Sequence, residues 1–89
     1  PAHFPGQPLW PGPLILSEVR EAMGSVPALV ARLGADPTLA AAKFLAPVGP
    51  QSTLSIELQP EAGASGGVRF EVRSGGVLAA SGRWIRAAE

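Results

Sequence analysis

The side chains best suited to chemistry gather in one stretch, His3-Phe4-Pro5-Gly6-Gln7-Pro8-Leu9-Trp10-Pro11-Gly12. His3 is the only histidine, so any imidazole chemistry rests on it. Prolines fix φ and remove donors, so this loop is stiff and holds its histidine at a set geometry. Gly12 stands just before Pro13, where an apolar run with helical spacing begins. At a helix start, an N–H and the helix dipole together face a carbonyl oxygen or an anion. Phe4, Leu9, Trp10 and Pro11 supply the apolar surface that excludes water. A base, an oxyanion donor and a dry slot are the elements of proton abstraction beside a carbonyl. A plainer reading stands beside it: His3 is a loop residue bonded to backbone, and the prolines only shape the turn.

Composition narrows the classes. A chain of 89 residues has room for one domain, 1–89. Seven basic and seven acidic residues give no net charge, which argues against a nucleic-acid partner. The absence of cysteine excludes a disulfide scaffold, thiol catalysis and thiolate-held zinc. One histidine excludes most histidine metal sites, and no metal constellation is seen; no cofactor is expected. No apolar run approaches the roughly 18 residues of a membrane span. The chain begins at Pro1 rather than methionine, with no signal-peptide pattern behind it. It is expected to lack an upstream segment and to be cytoplasmic. Charged residues make up 16% of the chain, against about 25% in ordinary soluble domains. Domains of this size bury only about 60–65% of their unfolded surface. The excess apolar surface predicts a homodimer or higher oligomer.

The periodicity sets the elements that must hold the loop. Leu14, Ile15, Leu16, Val19, Ala22, Met23 and Val26 recur near 3.6, which predicts a helix over about Pro13 to Met23, ended by Gly24. Its opening Leu-Ile-Leu run is apolar all round and is expected to be central, with Met23 in the core. Ser25 is expected to cap a second short helix through Leu33, stopped by Gly34. Leu39 to Val48 is a small, apolar run broken by Lys43. Thr53 to Gln59 alternates, with Leu54, Ile56 and Leu58 on one face. Val68, Phe70 and Val72 oppose Arg69, Glu71 and Arg73. Ser74-Gly75-Gly76 signals a hairpin into a last strand, Val77 to Arg86, with a kink expected at Gly82 and Trp84 packed beneath it. The fold class is α+β: a helix on the dry face of an antiparallel sheet.

The opening stretch resembles the signature of the hotdog-fold 3-hydroxyacyl-acyl-carrier-protein dehydratases, H-F-P-G-x-P-x-x-P-G followed by an apolar helix, and meets every fixed position from His3 to Gly12. Lys43-Phe44-Leu45-Ala46-Pro47-Val48 is similar to that family's K-x-x-F-x-x-P-V region, with a shortened lysine–phenylalanine spacing. The family's turn usually carries Gly-Asp after P-V, where Gly49-Pro50 stands here. The resemblance implies an antiparallel sheet wrapped around a long central helix and a dimer with sites at the interface. It implies dehydration of a 3-hydroxyacyl thioester, on carrier protein or coenzyme A, in fatty-acid or related lipid or polyene synthesis. His3 maps to the base and Gly12 to the carbonyl donor. Phe4, Leu9, Trp10 and Pro11 are expected to bind the substrate, with Trp10 read as a wall of the acyl slot or an interface anchor, or equally as a buried core aromatic.

The family's carboxylate position falls on Ser17, a weak acid donor. Glu18 is adjacent but about 100° round a regular helix. Three readings follow: a shifted helix that brings Glu18 into use, a Ser17-oriented water with His3 moving both protons, or a non-catalytic acyl-binding or partner subunit. A hotdog thioesterase is the other enzymatic reading, and the intact motif argues against it. Arg32, Lys43, Arg69, Arg73, Arg83 and Arg86 are either ordinary solvated residues or contacts for an acidic carrier protein or a phosphopantetheine phosphate.

Overall fold

A computed structural model describes residues 10–63 and 65–87. The chain runs through two helices, α1 (Gly12–Gly24) and α2 (Pro27–Leu33), and then four strands, β1 (Thr38–Phe44), β2 (Leu54–Pro60), β3 (Val68–Ser74) and β4 (Val77–Ile85). The architecture is α+β, with one antiparallel sheet in the order β1-β4-β3-β2.

Pro11 caps α1 in extended conformation, and its carbonyl accepts the N–H groups of Leu14 (3.0 Å) and Ile15 (3.2 Å). The helix is 13 residues long and buries the stripe Ile15, Val19 and Met23. Its start departs from expectation. The run Leu14-Ile15-Leu16 is not central on all sides, since Leu14 is 53% exposed while Ile15 is buried. Ser25 also differs: it does not cap α2, whose N-cap is Val26 with no side-chain bond. Its hydroxyl instead donates to the Ala22 carbonyl (2.7 Å), closing the end of α1. Ser25 is the C-cap of α1, where the carbonyls of the last turn have no intrahelical partner. Gly34 ends α2 at φ 81°, and Arg86 covers the last carbonyls by donating to Ala31 (2.8 Å) and Arg32 (3.2 Å).

The alternation read in β2 and β3 holds. Leu54, Ile56 and Leu58 share the helix side with buried Val68, Phe70 and Val72. Ile15, Val19, Met23, Leu29 and Leu33 pack on that layer, together with Ala80 and Trp84. Gly75 and Gly76, at φ 59° and 84°, form the two-residue hairpin between β3 and β4, a backbone that glycine adopts at no steric cost. The irregularity expected at Gly82 lies elsewhere. Val72 pairs with Ala80 and Arg73 with Leu78, so Ala79 is the extra residue of a bulge. Gly82 stays in regular register opposite Phe70 and Ala42.

The turn from β2 to β3 is tied down by charge. Arg83 donates to both Glu61 oxygens (2.7 and 2.9 Å), and the Gly67 N–H donates to the same carboxylate (2.8 Å). Arg32 reaches across from α2 to the carbonyls of Gly63 (3.0 Å) and Gly66 (2.8 Å). The Arg83 guanidinium first, and the Gly67 amide second, hold the Glu61 carboxyl down from 4.5 to about 2. A carboxyl depressed in the folded state contributes stability that is complete above its unfolded pKa. That stability drains as pH falls from 4.5 towards 2. Wild type is therefore expected to lose more Tm than Glu61→Gln between about pH 5.5 and pH 2.5. Parallel Tm losses for the two proteins would show that the carboxylate contributes nothing on the acid side.

Candidate functional site

Two backbone clamps build the wall of the cleft beside the start of α1. Beyond β1, the N–H groups of Leu45 (2.8 Å) and Ala46 (3.3 Å) both donate to the carbonyl of Ala79. Ala79 is the bulged residue, and a bulge takes its residue out of the ladder and re-aims it. From the other side, the Trp10 N–H donates to the Val48 carbonyl (2.9 Å). Residues 45 to 48 are thus held between β4 and the approach to α1. An open cleft of about 490 Å³ lies there, lined by Trp10, Gly12, Ile15, Phe44 and the segment Leu45 to Val48.

Gly12 lines this cleft as the first residue of α1. It is flanked by Pro11 and Pro13, which have no N–H, and its own N–H bonds to no backbone acceptor among the described residues. Leu14 and Ile15 have turned their own N–H groups back to Pro11. The first turn carries no acidic side chain, so the positive end of the helix dipole is uncompensated there. One free donor, one helix end and apolar walls are suited to holding a carbonyl oxygen as negative charge grows on it. The ring of Phe44 stands directly over this glycine. A Cβ at position 12 would lie 2.9 Å from its Cζ and 3.2 Å from both Cε atoms.

The residues singled out from sequence divide clearly. Gly12 and Trp10 line the cleft, and Trp10 is half-buried against the core. Pro11 is the exposed cap of α1. Ser17 and Glu18 are both exposed, off the buried stripe, and neither lines the cleft of its own chain. His3, Phe4 and Leu9 lie outside the described residues. Sequence reading gave Phe44 no role of its own. Its one signal was its place in the Lys43–Val48 segment, because side-chain period gives a face but not the neighbour across it.

Most of the basic residues have structural work. Arg73 pairs with Glu57 and Glu71, Arg83 with Glu61, and Arg32 and Arg86 donate to carbonyls. Lys43 and Arg69 have no ion-pair partner among the described residues. They line a hollow of about 260 Å³ on the opposite face of the sheet, which also carries Glu57 and Glu71. That hollow holds charges of both signs and no helix terminus, so the cleft at Gly12 is the better place for carbonyl chemistry. Among the described residues no group of His, Asp or Glu side chains is placed to hold a metal, and no helix is long and apolar enough to cross a membrane.

The sequence model of a family described as ApeI dehydratase matches residues 1–83, from before His3 into β4. The chain belongs to the ApeI-like dehydratase family. This is a hotdog-fold dehydratase family, and the four-stranded antiparallel sheet with its helices on one face is consistent with that fold. The match spans both the His3–Gly12 motif and the cleft segment around Phe44. No curated protein and no solved structure matches the chain.

Proposed function

We propose that this ApeI-like chain dehydrates a 3-hydroxyacyl thioester to the trans-2-enoyl thioester. The observation that carries the reading is Gly12, which lines an apolar cleft at the N-terminus of α1 inside the family match and whose N–H has no backbone acceptor among the described residues. The thioester carbonyl accepts from Gly12, and negative charge moves onto its oxygen as His3 takes the proton from C2. The electron pair then forms the C2–C3 double bond, the C3–O bond breaks, and the hydroxyl leaves as water with a proton from an acid. Glu18 is that acid, or Ser17 through an oriented water. Phe4, Leu9, Trp10 and Pro11 face the acyl chain. The substrate is carried on acyl carrier protein or coenzyme A, in cytoplasmic fatty-acid or related lipid or polyene synthesis.

Neither Ser17 nor Glu18 lines its own cleft, which supports a homodimer in which a second copy presents α1. Leu14 and Leu45, 53% and 54% exposed, supply apolar surface for such a contact. In the assembled protein the sheet wraps α1 as the central helix of a hotdog. A non-catalytic acyl-binding subunit is the second reading, favoured by serine at position 17.

The test follows hydration and dehydration of crotonyl and longer trans-2-enoyl thioesters at the enoyl absorbance. Glu18→Gln is expected to lose about 100-fold or more in kcat, the scale of a lost general acid. Ser17→Ala is expected to stay near wild type. The reverse ranking would assign the acid role to Ser17. A folded wild-type dimer that binds acyl thioesters without turning any over would establish the acyl-binding subunit instead.

A further inference from the structure

Phe44 is the last residue of β1, on the helix side of the sheet, opposite Ala80 in β4. A small residue across the strand pair leaves its ring unsupported from that side. The ring rests instead on Gly12, with three atoms within 3.2 Å of where a Cβ would stand. Its backbone is fixed directly beyond, where the Leu45 and Ala46 amides bond to Ala79. Yet the side chain is left 52% exposed, and it lines the cleft. A large ring on a fixed backbone, seated on a glycine whose amide has no backbone acceptor among the described residues, is more than filler.

We infer that Phe44 is a positioning residue: its ring shields the Gly12 amide from water and keeps that amide aimed into the cleft. An amide donor bonds a growing negative charge more strongly where water is excluded. The ring supplies that exclusion on the Cα side of the donor without taking up the donor itself. It also explains why position 12 carries glycine, since any side chain would push the ring off its seat. The kinetic consequence rests on the dehydratase reading, whereas the shielding does not.

The test therefore has two independent readouts on the full chain. Hydrogen exchange at the Gly12 amide, followed by ¹⁵N NMR, is expected to speed up about 10-fold or more in Phe44→Ala. In the enoyl-thioester assay the same variant is expected to lose about 10-fold in kcat with KM within about 2-fold, the pattern of a weakened interaction made in the transition state. Phe44→Leu, which keeps apolar bulk, is expected to recover most of both. Unchanged Gly12 exchange in a folded Phe44→Ala protein would overturn the inference, whatever the activity. Faster exchange with a rise in KM alone would also overturn it, leaving Phe44 a binding wall. Faster exchange in a chain with no wild-type turnover would uphold the shielding and sink the dehydratase reading alone.

Discussion

His3→Ala is expected to lower dehydration of 3-hydroxyacyl thioesters by about 10²–10⁴-fold, the range that a positioned general base contributes. KM is expected to change little, because the acyl chain is held by apolar contacts that the substitution leaves in place. The argument runs through charge. Removing a proton from C2 creates an enolate, and its oxygen needs the Gly12 donor at the same moment that C2 needs a base. His3 is the only imidazole in the chain, so no second histidine can take over. His3→Gln keeps polarity and bulk but not basicity, and is expected to be as inactive as His3→Ala. A His3→Ala enzyme that kept more than about a tenth of wild-type kcat would remove His3 from the mechanism.

Much of this arrangement was legible in the residues. Alternation in β2 and β3 fixed which side chains face the helix, because a strand repeats every two residues and one face must be dry. Pro13 and Gly24 marked α1 to within a residue, and Gly75-Gly76 marked the hairpin. What remained hidden depends on neighbours distant in sequence. Leu14 is exposed because α1 packs on the core along Ile15, Val19 and Met23, with Leu16 partly buried beside them, and hydrophobicity at one position does not reveal a missing partner. The bulge sits at Ala79 rather than Gly82 because register is a property of two strands together. Phe44 over Gly12 joins residues 32 positions apart. In the site itself, the motif pointed to Gly12, while the acid stayed divided between Ser17 and Glu18. Both residues are exposed on α1, so in the proposed dehydration the choice between them turns on what docks there.

The second phenylalanine–glycine contact governs stability rather than chemistry. Phe70 is 2% exposed at the centre of β3, between Val68 and Val72, which are fully buried. Its register partner on β4 is Gly82, and its ring lies across that glycine, 2.6 Å from where a Cβ would stand. An aromatic ring over a strand glycine covers backbone that would otherwise lack packing. Phe70→Ala is expected to cost about 3–5 kcal/mol, the range for emptying a buried phenylalanine. The upper part of the range applies here, because Gly82 has no side chain that could collapse into the space. Small domains hold a total of about 5–15 kcal/mol, so the variant is expected to be near its threshold of folding. Urea unfolding should show a large fall in midpoint at unchanged slope. Gly82→Ala probes the same contact from the other side. The new methyl would meet the Phe70 ring and also the Ala41 carbonyl oxygen, and that backbone atom has no rotamer to yield. It is therefore expected to be destabilising although it adds only one carbon. Removing the ring does not relieve the Ala41 clash, so the double variant Phe70→Ala/Gly82→Ala is expected to be less stable than either single one. A double variant more stable than Phe70→Ala would mean that the methyl fills the space left by the ring, and that the ring, not the Ala41 carbonyl, is what keeps position 82 glycine.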